Sequence, residues 1–141
     1  MEHNIVDLSS NLRRYANEYI EELLKDNGLK GIVPSHGGIL LNLYHDKTLS
    51  MQELAARIKR TKATTTVLVD KLEKLGLVVR SKSDRDSRIT LVTLTQKGLD
   101  YEDLFNRIGT EINRKVTKNL TEDEALLLEK LLEKAISGFS N

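Results

Sequence analysis

Apolar residues recur at every third or fourth position in the first part of this chain, which is the spacing of one buried face on an α-helix. The pattern predicts a first helix that begins at Ile5 and is closed by Asn27 and Gly28. Pro34 suits the first turn of a second helix, whose buried stripe includes Leu40. The start of the chain is therefore predicted to be helical.

Two further helical patterns follow between residues 51 and 75, joined by a turn with no room for a loop. Ser50 and Glu53 form a capping box for the first of them. Thr61 can cap the second, and Gly76 ends it. Two helices joined this tightly are typical of a helix-turn-helix. The second one, called the recognition helix below, is predicted to bury Leu68, Val69, Leu72 and Leu75.

After Gly76, two runs rich in β-branched residues flank a polar segment. The runs cover residues 77–82 and 89–95, and the polar tip SDRDSR lies between them. This pattern predicts a β-hairpin. Thr48 and Leu49 leave room only for a short strand that pairs with it. A helix-turn-helix followed directly by such a hairpin, or wing, is predicted to be a winged helix.

The carboxyl-terminal part is again helical in pattern. Thr95 is predicted to cap one long helix that continues through Val116. A second capping box, Thr121 with Glu124, begins the last helix, which is rich in leucine. Left bare, these long helices would expose a wide apolar surface, which monomers avoid. Burial against the same helices of a second copy predicts a two-fold homodimer.

The predicted fold class is therefore mainly α, a winged helix-turn-helix with a small β-hairpin wing and terminal helices that form a homodimer interface. Residues 34–98 are predicted to be the DNA-binding winged helix, and residues 1–33 and 99–141 the helical dimerisation region. Two recognition helices related by a two-fold axis would read major grooves about 34 Å apart. The predicted partner is thus double-stranded DNA that carries an inverted repeat.

Charge distribution supports a nucleic-acid partner although the net charge of the chain is only +1. Residues 57–97 hold eleven basic and four acidic side chains, a net +7, so the rest of the chain sums to −6. One basic segment with acidic flanks is expected when a single face meets phosphate. The composition is 39% hydrophobic but only 4% aromatic, which favours packed helices over a β-sandwich.

Several classes of protein and site are excluded or left without support. The chain lacks cysteine, which excludes disulfides and thiolate metal sites. Its first residues do not resemble a signal peptide, and no apolar run approaches membrane-spanning length, so a cytoplasmic protein is predicted. There is no nucleophile elbow, phosphate loop or dinucleotide fingerprint, so neither an enzyme nor a cofactor is predicted. The three histidines have no metal-ligand spacing.

The order of elements and two motifs resemble the multiple antibiotic resistance regulator (MarR) family of winged-helix repressors. The motifs are ELAARIKRTKATTTVLVDKLEKLGLVVR (residues 53–80) and SDRDSRITLVTLTQKG (residues 83–98). The family typically carries Asp-x-Arg-Asp-x-Arg, then Leu-Thr and a Gly three residues after the Thr. Ser83 stands where the family usually has the first Asp. The positions that match are Arg85, Asp86, Arg88, Leu94, Thr95 and Gly98.

The resemblance implies a homodimer that binds operator DNA as a repressor and is released by a small aromatic or anionic effector. Arg85 would enter the minor groove, and Asp86 and Arg88 would hold the wing tip in shape or touch phosphate. Arg60 and Lys71 are predicted to contact phosphates, which fix position without reading sequence. The residues predicted to contact the major groove are Lys62, Ala63, Thr64, Thr66 and Val67. Val67 is apolar on a polar face and could pack on a thymine methyl.

Three alternatives stay open. A pocket for a phenolic carboxylate could have walls of Tyr15, Tyr19, His36, Tyr44 or His45, with Arg13 or Arg14 as the counter-charge. The tyrosines could instead simply belong to the dimer core. The winged helix could also bind protein instead of DNA, or the histidines could take part in a metal-responsive regulator.

Overall fold

The structure is a computed structural model and describes residues 2–140. Within that range the chain forms seven helices and three short strands. In chain order these are α1 (Ile5–Asp26), α2 (Pro34–Asp46), β1 (Thr48–Ser50), α3 (Met51–Ile58), α4 (Lys62–Lys74), β2 (Val78–Lys82), β3 (Thr90–Leu94), α5 (Gln96–Asp100), α6 (Glu102–Thr117) and α7 (Glu122–Ser137). The prediction of a mainly helical winged helix-turn-helix is confirmed.

The strands form one antiparallel sheet in the order β1-β3-β2. The wing consists of β2 and β3, with Lys82 opposite Thr90 at the end of the hairpin nearest the tip. β1 is the short strand predicted beside the wing, and its Thr48 pairs with Thr93. The Thr48 and Thr93 hydroxyl oxygens are 2.9 Å apart. The sheet therefore ties the wing to the segment that leads into α3.

The predicted helix caps are present. The Ser50 hydroxyl accepts a hydrogen bond from the Glu53 amide, and the Glu53 carboxylate accepts one from the Ser50 amide. Thr121 and Glu124 repeat this capping box at the start of α7. Gly76 follows the last residues of α4 with φ +76°, a left-handed conformation that glycine adopts without strain.

The hydrophobic core lies between α2, α3, α4 and the sheet, and it extends into both flanking segments. Its fully buried side chains include Leu43, Leu72 and Val92. Leu24 near the end of α1 and Phe105 on α6 belong to the same cluster. The winged helix thus packs as one core with the end of α1 and the start of α6.

The single long helix predicted after Thr95 is wrong in one respect, because it is interrupted at Tyr101 between α5 and α6. The Tyr101 amide donates to the Gly98 carbonyl at 3.3 Å, a tighter turn than that of an α-helix. The same carbonyl also accepts a 2.8 Å hydrogen bond from the Tyr44 hydroxyl. This contact comes from α2, far away in sequence, and so was not visible in the local pattern.

The described residues divide into two compact units, one that ends at Ile108 and one that begins at Gly109. In the first unit, the first half of α1 exposes apolar side chains, which are Ile5, Val6, Leu8, Leu12 and Tyr15. In the second unit, α7 has no buried residue. Its exposed apolar side chains are Leu126, Leu127, Leu128, Leu131 and Ile136. Phe139, just after α7, is 91% exposed.

Candidate nucleic-acid interface

The outer face of the recognition helix, α4, is small, basic and solvent-exposed. Lys62, Ala63 and Thr64 in its first turn are exposed, and Thr66 is half-buried. Val67 is 67% exposed although it is apolar. These are the five residues predicted to face the major groove, and the structure brings them together on one accessible side.

Threonine hydroxyls fix the first turns of α4. The Thr61 hydroxyl accepts a 3.1 Å hydrogen bond from the Thr64 amide, as predicted for a cap. Thr65 is fully buried, and its hydroxyl donates to the Thr61 carbonyl at 2.8 Å. The Thr66 hydroxyl donates to the Lys62 carbonyl at 2.9 Å, which leaves its oxygen able to accept a bond from outside.

The wing tip is held by hydrogen bonds within a few residues. The Asp86 carboxylate accepts two 3.0 Å hydrogen bonds from the Arg88 guanidinium and one from the Arg88 amide. The hydrogen bond to Arg88 lowers the pKa of Asp86. The Ser83 hydroxyl accepts from the Arg85 amide at 3.3 Å, so this serine helps to brace the turn. The Arg85 side chain is exposed at the tip.

A small cleft lies between the start of the recognition helix and the wing. Its volume is about 60 Å³, and both Lys62 of α4 and Arg88 of the wing tip line it. Its other lining residues are Ser50, Met51, Gln52, Ile89 and Thr90. The basic start of α4 and the basic wing tip therefore lie on the same side of the molecule.

Arg80 braces the wing against the recognition helix, a role that the sequence analysis missed. Its guanidinium lies 2.7 Å from the Asp70 carboxylate and 2.9 Å from that of Glu73, both on α4. The Glu73 carboxylate also accepts a hydrogen bond from the Arg80 amide at 3.1 Å. The side-chain hydrogen bond to Arg80 lowers the pKa of Glu73. The sequence signal for this role was a pair of carboxylates, Asp70 and Glu73, which lie one helical turn apart on α4 shortly before β2.

We expect Arg80→Met to weaken DNA binding several-fold while lowering the melting temperature only slightly. The stability effect is small because ion pairs this exposed contribute little. The binding effect arises because Asp70 and Glu73 would become uncompensated negative charges beside the groove-facing side of α4. Fluorescence anisotropy with a labelled duplex measures it. Adding Asp70→Asn and Glu73→Gln to Arg80→Met is expected to restore part of the affinity, and a further loss would contradict this explanation.

The two residues predicted to contact phosphates occupy different settings. Arg60 is exposed in the turn before α4, and its guanidinium donates to the Lys59 carbonyl at 3.3 Å. Lys71 is half-buried, and its ammonium lies so near Gly31 that a Cβ added there would stand 3.1 Å from it. Arg60 is thus displayed to solvent, whereas Lys71 lies against the loop before α2.

The residues predicted to form an effector pocket fall into two groups. Tyr44 is buried, with its hydroxyl bonded to the Gly98 carbonyl. His36 is 6% exposed, and its Nδ1 accepts a 2.9 Å hydrogen bond from the Val33 amide at the start of α2. Arg13 and Tyr15 are exposed on α1, and Tyr19 is half-buried there. The effector site stays a prediction, and Tyr44 and His36 also support the core.

We expect the fold to lose stability as pH falls below about 6.5, the ordinary pKa of histidine. Burial lowers the pKa of His36, and the positive charge of Lys71 lowers it further. Below 6.5 the unfolded chain therefore binds a proton that the folded chain resists. Melting temperatures at pH 7.5 and 5.5 measure this difference. His36→Gln keeps the capping acceptor without the titration. It should shrink the difference, and an unchanged difference would contradict the assignment to His36.

Residues 2–140 contain no group of three or more histidine, aspartate or glutamate side chains placed to hold one metal ion. Across the same residues, every helix is too short or too polar to cross a bilayer.

Comparison with known proteins identifies the family. A family model described as MarR family matches residues 28–89, which include both helices of the helix-turn-helix and the wing tip. A relative described as the uncharacterized HTH-type transcriptional regulator YkoM of Bacillus subtilis is 30% identical over 115 residues, which cover 82% of this chain and 75% of the relative. The HTH-type transcriptional regulator MhqR of Bacillus subtilis is 28% identical over 122 residues, which cover 86% of this chain and 81% of the relative.

A solved structure with the same fold is a cysteine-to-serine mutant of MarR from Escherichia coli complexed with operator DNA. It superimposes with a TM-score of 0.83 at 25% identity and covers 93% of this chain and 92% of that chain. An α-helical winged helix-turn-helix with these relatives defines a transcriptional regulator and not an enzyme. The chain belongs to the MarR family.

Proposed function

We propose that this protein regulates transcription by binding double-stranded DNA through the outer face of α4 and the tip of the wing. The observation that carries the proposal is the cleft that Lys62 on α4 and Arg88 on the wing both line. This nearness supports a single duplex that meets both basic projections. The likeness to a MarR structure complexed with operator DNA supports DNA as the partner.

In this proposal α4 enters the major groove, and Arg85 reaches the adjacent minor groove. Lys62 and Thr66 supply donors and acceptors for base edges, and Val67 supplies an apolar contact for a thymine methyl. Arg60 and Lys71 contact phosphates. Asp86 and Arg88 serve mainly to hold the tip, because their charges are paired with each other.

The protein acts as a homodimer on an inverted repeat. Exposed apolar side chains on α1 and on α7 support this, because a second copy is the simplest cover for such surfaces. Residues 34–98 then bind DNA, and residues 1–33 and 99–141 hold the two copies together. A two-fold dimer presents its recognition helices to grooves about 34 Å apart.

The protein represses its target and is released by a small aromatic or anionic effector. Arg14 places its guanidinium 4.6 Å from the Tyr15 ring centre on α1, next to Arg13. Two arginines beside an exposed ring suit an aromatic carboxylate, which would compete with Glu18 for Arg14, since these two side chains form a 3.7 Å ion pair. Tyr15, Tyr19, Arg13 and Arg14 on α1 are the first residues to replace when aromatic acids are screened against the protein–DNA complex.

Selection of bound duplexes from a random pool tests the proposal. We expect enrichment of an inverted repeat whose half-sites lie about one helical turn apart, two chains for each duplex, and affinity that falls steeply with salt. A pool that shows no enrichment, together with salt-insensitive capture of another protein, would instead favour a protein-binding winged helix.

A further inference from the structure

Two residues other than glycine have a positive φ among residues 2–140, and both are lysines. Lys59 has φ +57° and ψ +49° at the end of α3, and Lys47 has φ +67° at the end of α2. Both side chains are exposed. The left-handed conformation of Lys59 brings Cβ too close to the following carbonyl, and helices that end this way usually place glycine or asparagine there. Lys47, with ψ −48°, lies outside that region, but its positive φ is also one that glycine adopts more easily. Each lysine therefore costs folding energy that glycine would avoid.

The contacts of Lys59 within the protein do not explain a lysine at that position. Its side chain forms no ion pair or hydrogen bond with any of residues 2–140. Its main-chain amide donates to the carbonyls of Ala55 and Ala56, which a glycine amide would do equally well. A strained residue held without structural need is a reason to look for a function.

The position of Lys59 beside the recognition helix suggests what that function is. It lies in the turn between the two helices of the helix-turn-helix, one residue before Arg60 and three before Lys62. When a recognition helix enters the major groove, the helix before it crosses the phosphate backbone, so the turn between them lies at the edge of the groove. The Arg60 guanidinium bonds to the Lys59 carbonyl, which holds a second cation on the same turn.

We propose that Lys59 contacts a backbone phosphate of the bound duplex, and that this contact offsets its strained conformation. The inference rests on the proposed function, because it requires DNA against α4. A lysine contact to phosphate adds affinity without reading sequence. Lys59 is thus a positioning residue for the recognition helix and not a specificity determinant.

Lys47 provides a matched control. It has the same charge, is also exposed and has a positive φ, although its ψ of −48° differs from that of Lys59. It precedes Thr48, which pairs with Thr93. That end of the sheet is opposite to the wing tip, which follows Lys82 and its partner Thr90. A duplex bound to α4 and the wing tip should not reach it.

The experiment compares Lys59→Gly, Lys47→Gly and Lys59→Arg with the unaltered protein. Melting temperatures are measured without DNA, and affinity for a labelled mixed-sequence duplex is measured by fluorescence anisotropy between about 50 and 200 mM salt. Both glycine variants should melt roughly 2–4 °C higher because strain is relieved. The arginine variant keeps the charge and should bind like the unaltered protein.

Only Lys59→Gly should bind worse, on the order of tenfold. Its plot of log affinity against log salt should be shallower by about 0.9, which is the slope that one neutralised phosphate contributes. The weakening should be the same for any duplex sequence. An unchanged slope for Lys59→Gly, or an equal change for Lys47→Gly, would overturn the inference while leaving the DNA-binding function intact. Failure of the unaltered protein to bind any duplex would overturn both.

Discussion

Replacing Gly98 with alanine is expected to lower the free energy of unfolding by about 3 kcal/mol or more, and the melting temperature by roughly 10 °C. A Cβ at this position would stand 2.2 Å from the Leu77 carbonyl oxygen, far inside van der Waals contact. The neighbour is backbone at the start of the wing, so it cannot swing aside as a side chain would. The Gly98 carbonyl also accepts the buried Tyr44 hydroxyl, so a shift of α5 would break that bond as well.

Gly109→Ala is the control for this prediction. Gly109 lies within α6, and an added Cβ there meets no atom within 4 Å. Alanine should therefore stabilise the helix by roughly 0.5–1 kcal/mol through its better helix propensity. Thermal unfolding followed by circular dichroism measures both variants. If Gly98→Ala melted within a degree or two of the unaltered protein, the close packing of α5 on Leu77 would be refuted.

This packing gives a physical reason for the Leu-Thr-x-x-Gly motif, which the sequence showed only as a resemblance. The Thr95 amide donates to the Leu77 carbonyl, and the Thr95 hydroxyl both accepts from the Gly98 amide and donates to the Gly76 carbonyl. Thr95 was predicted as a helix cap from its own neighbours. Its bond to Gly76, and the need for a glycine at residue 98, depend on Gly76 and Leu77 just before β2, about twenty residues earlier, and could not be predicted locally.

Replacing Arg85 with alanine is expected to weaken DNA binding by about 1–3 kcal/mol, or roughly 5- to 150-fold. The Arg85 side chain is exposed at the wing tip, and its amide is held by the Ser83 hydroxyl. Alanine keeps that amide, so the turn should stay intact and the melting temperature unchanged. The weaker binding should come from the side chain alone, and it should be most marked for duplexes with an A·T-rich minor groove beside the contacted major groove.

Arg107→Ala removes the same charge from an exposed position on α6 and serves as the control. It should leave affinity nearly unchanged at moderate salt, because charges farther from DNA than a Debye length are screened. Gel-shift titrations of both variants on one duplex make the comparison. Equal affinity of Arg85→Ala and the unaltered protein would show that the wing tip does not enter a groove.

Local sequence signals predicted most of the fold. The starts of three helices could be predicted from Pro34, Ser50 and Thr61, because a capping side chain or the fixed φ of proline acts on the first turn of its own helix. The wing followed from the polar tip between two β-branched runs. The interruption at Tyr101 was missed. The Gly98 carbonyl at this turn accepts a hydrogen bond from Tyr44 on α2, a contact between distant parts of the chain that the local sequence does not show.

The exposed residues of the candidate interface could also be predicted from local sequence signals, whereas its ion pairs could not. Exposure of Lys62, Ala63 and Val67 follows from helical periodicity once the buried stripe is known. The net charge of residues 57–97 was counted correctly. The sequence did not show that some of these basic side chains are already paired, as Arg80 and Arg88 are with carboxylates. Ion pairs between separate elements depend on register and distance, which the order of residues alone does not supply.

Photo-cross-linking from Val67 tests the central claim most directly. A benzophenone amino acid placed at Val67 is presented to solvent on the outer face of α4, and the same label at Lys47 lies at the opposite end of the sheet. With a bound duplex, the label at Val67 should cross-link to DNA bases, and the label at Lys47 should give no DNA adduct. A duplex that stays bound yet cross-links from Lys47 and not from Val67 would contradict the account.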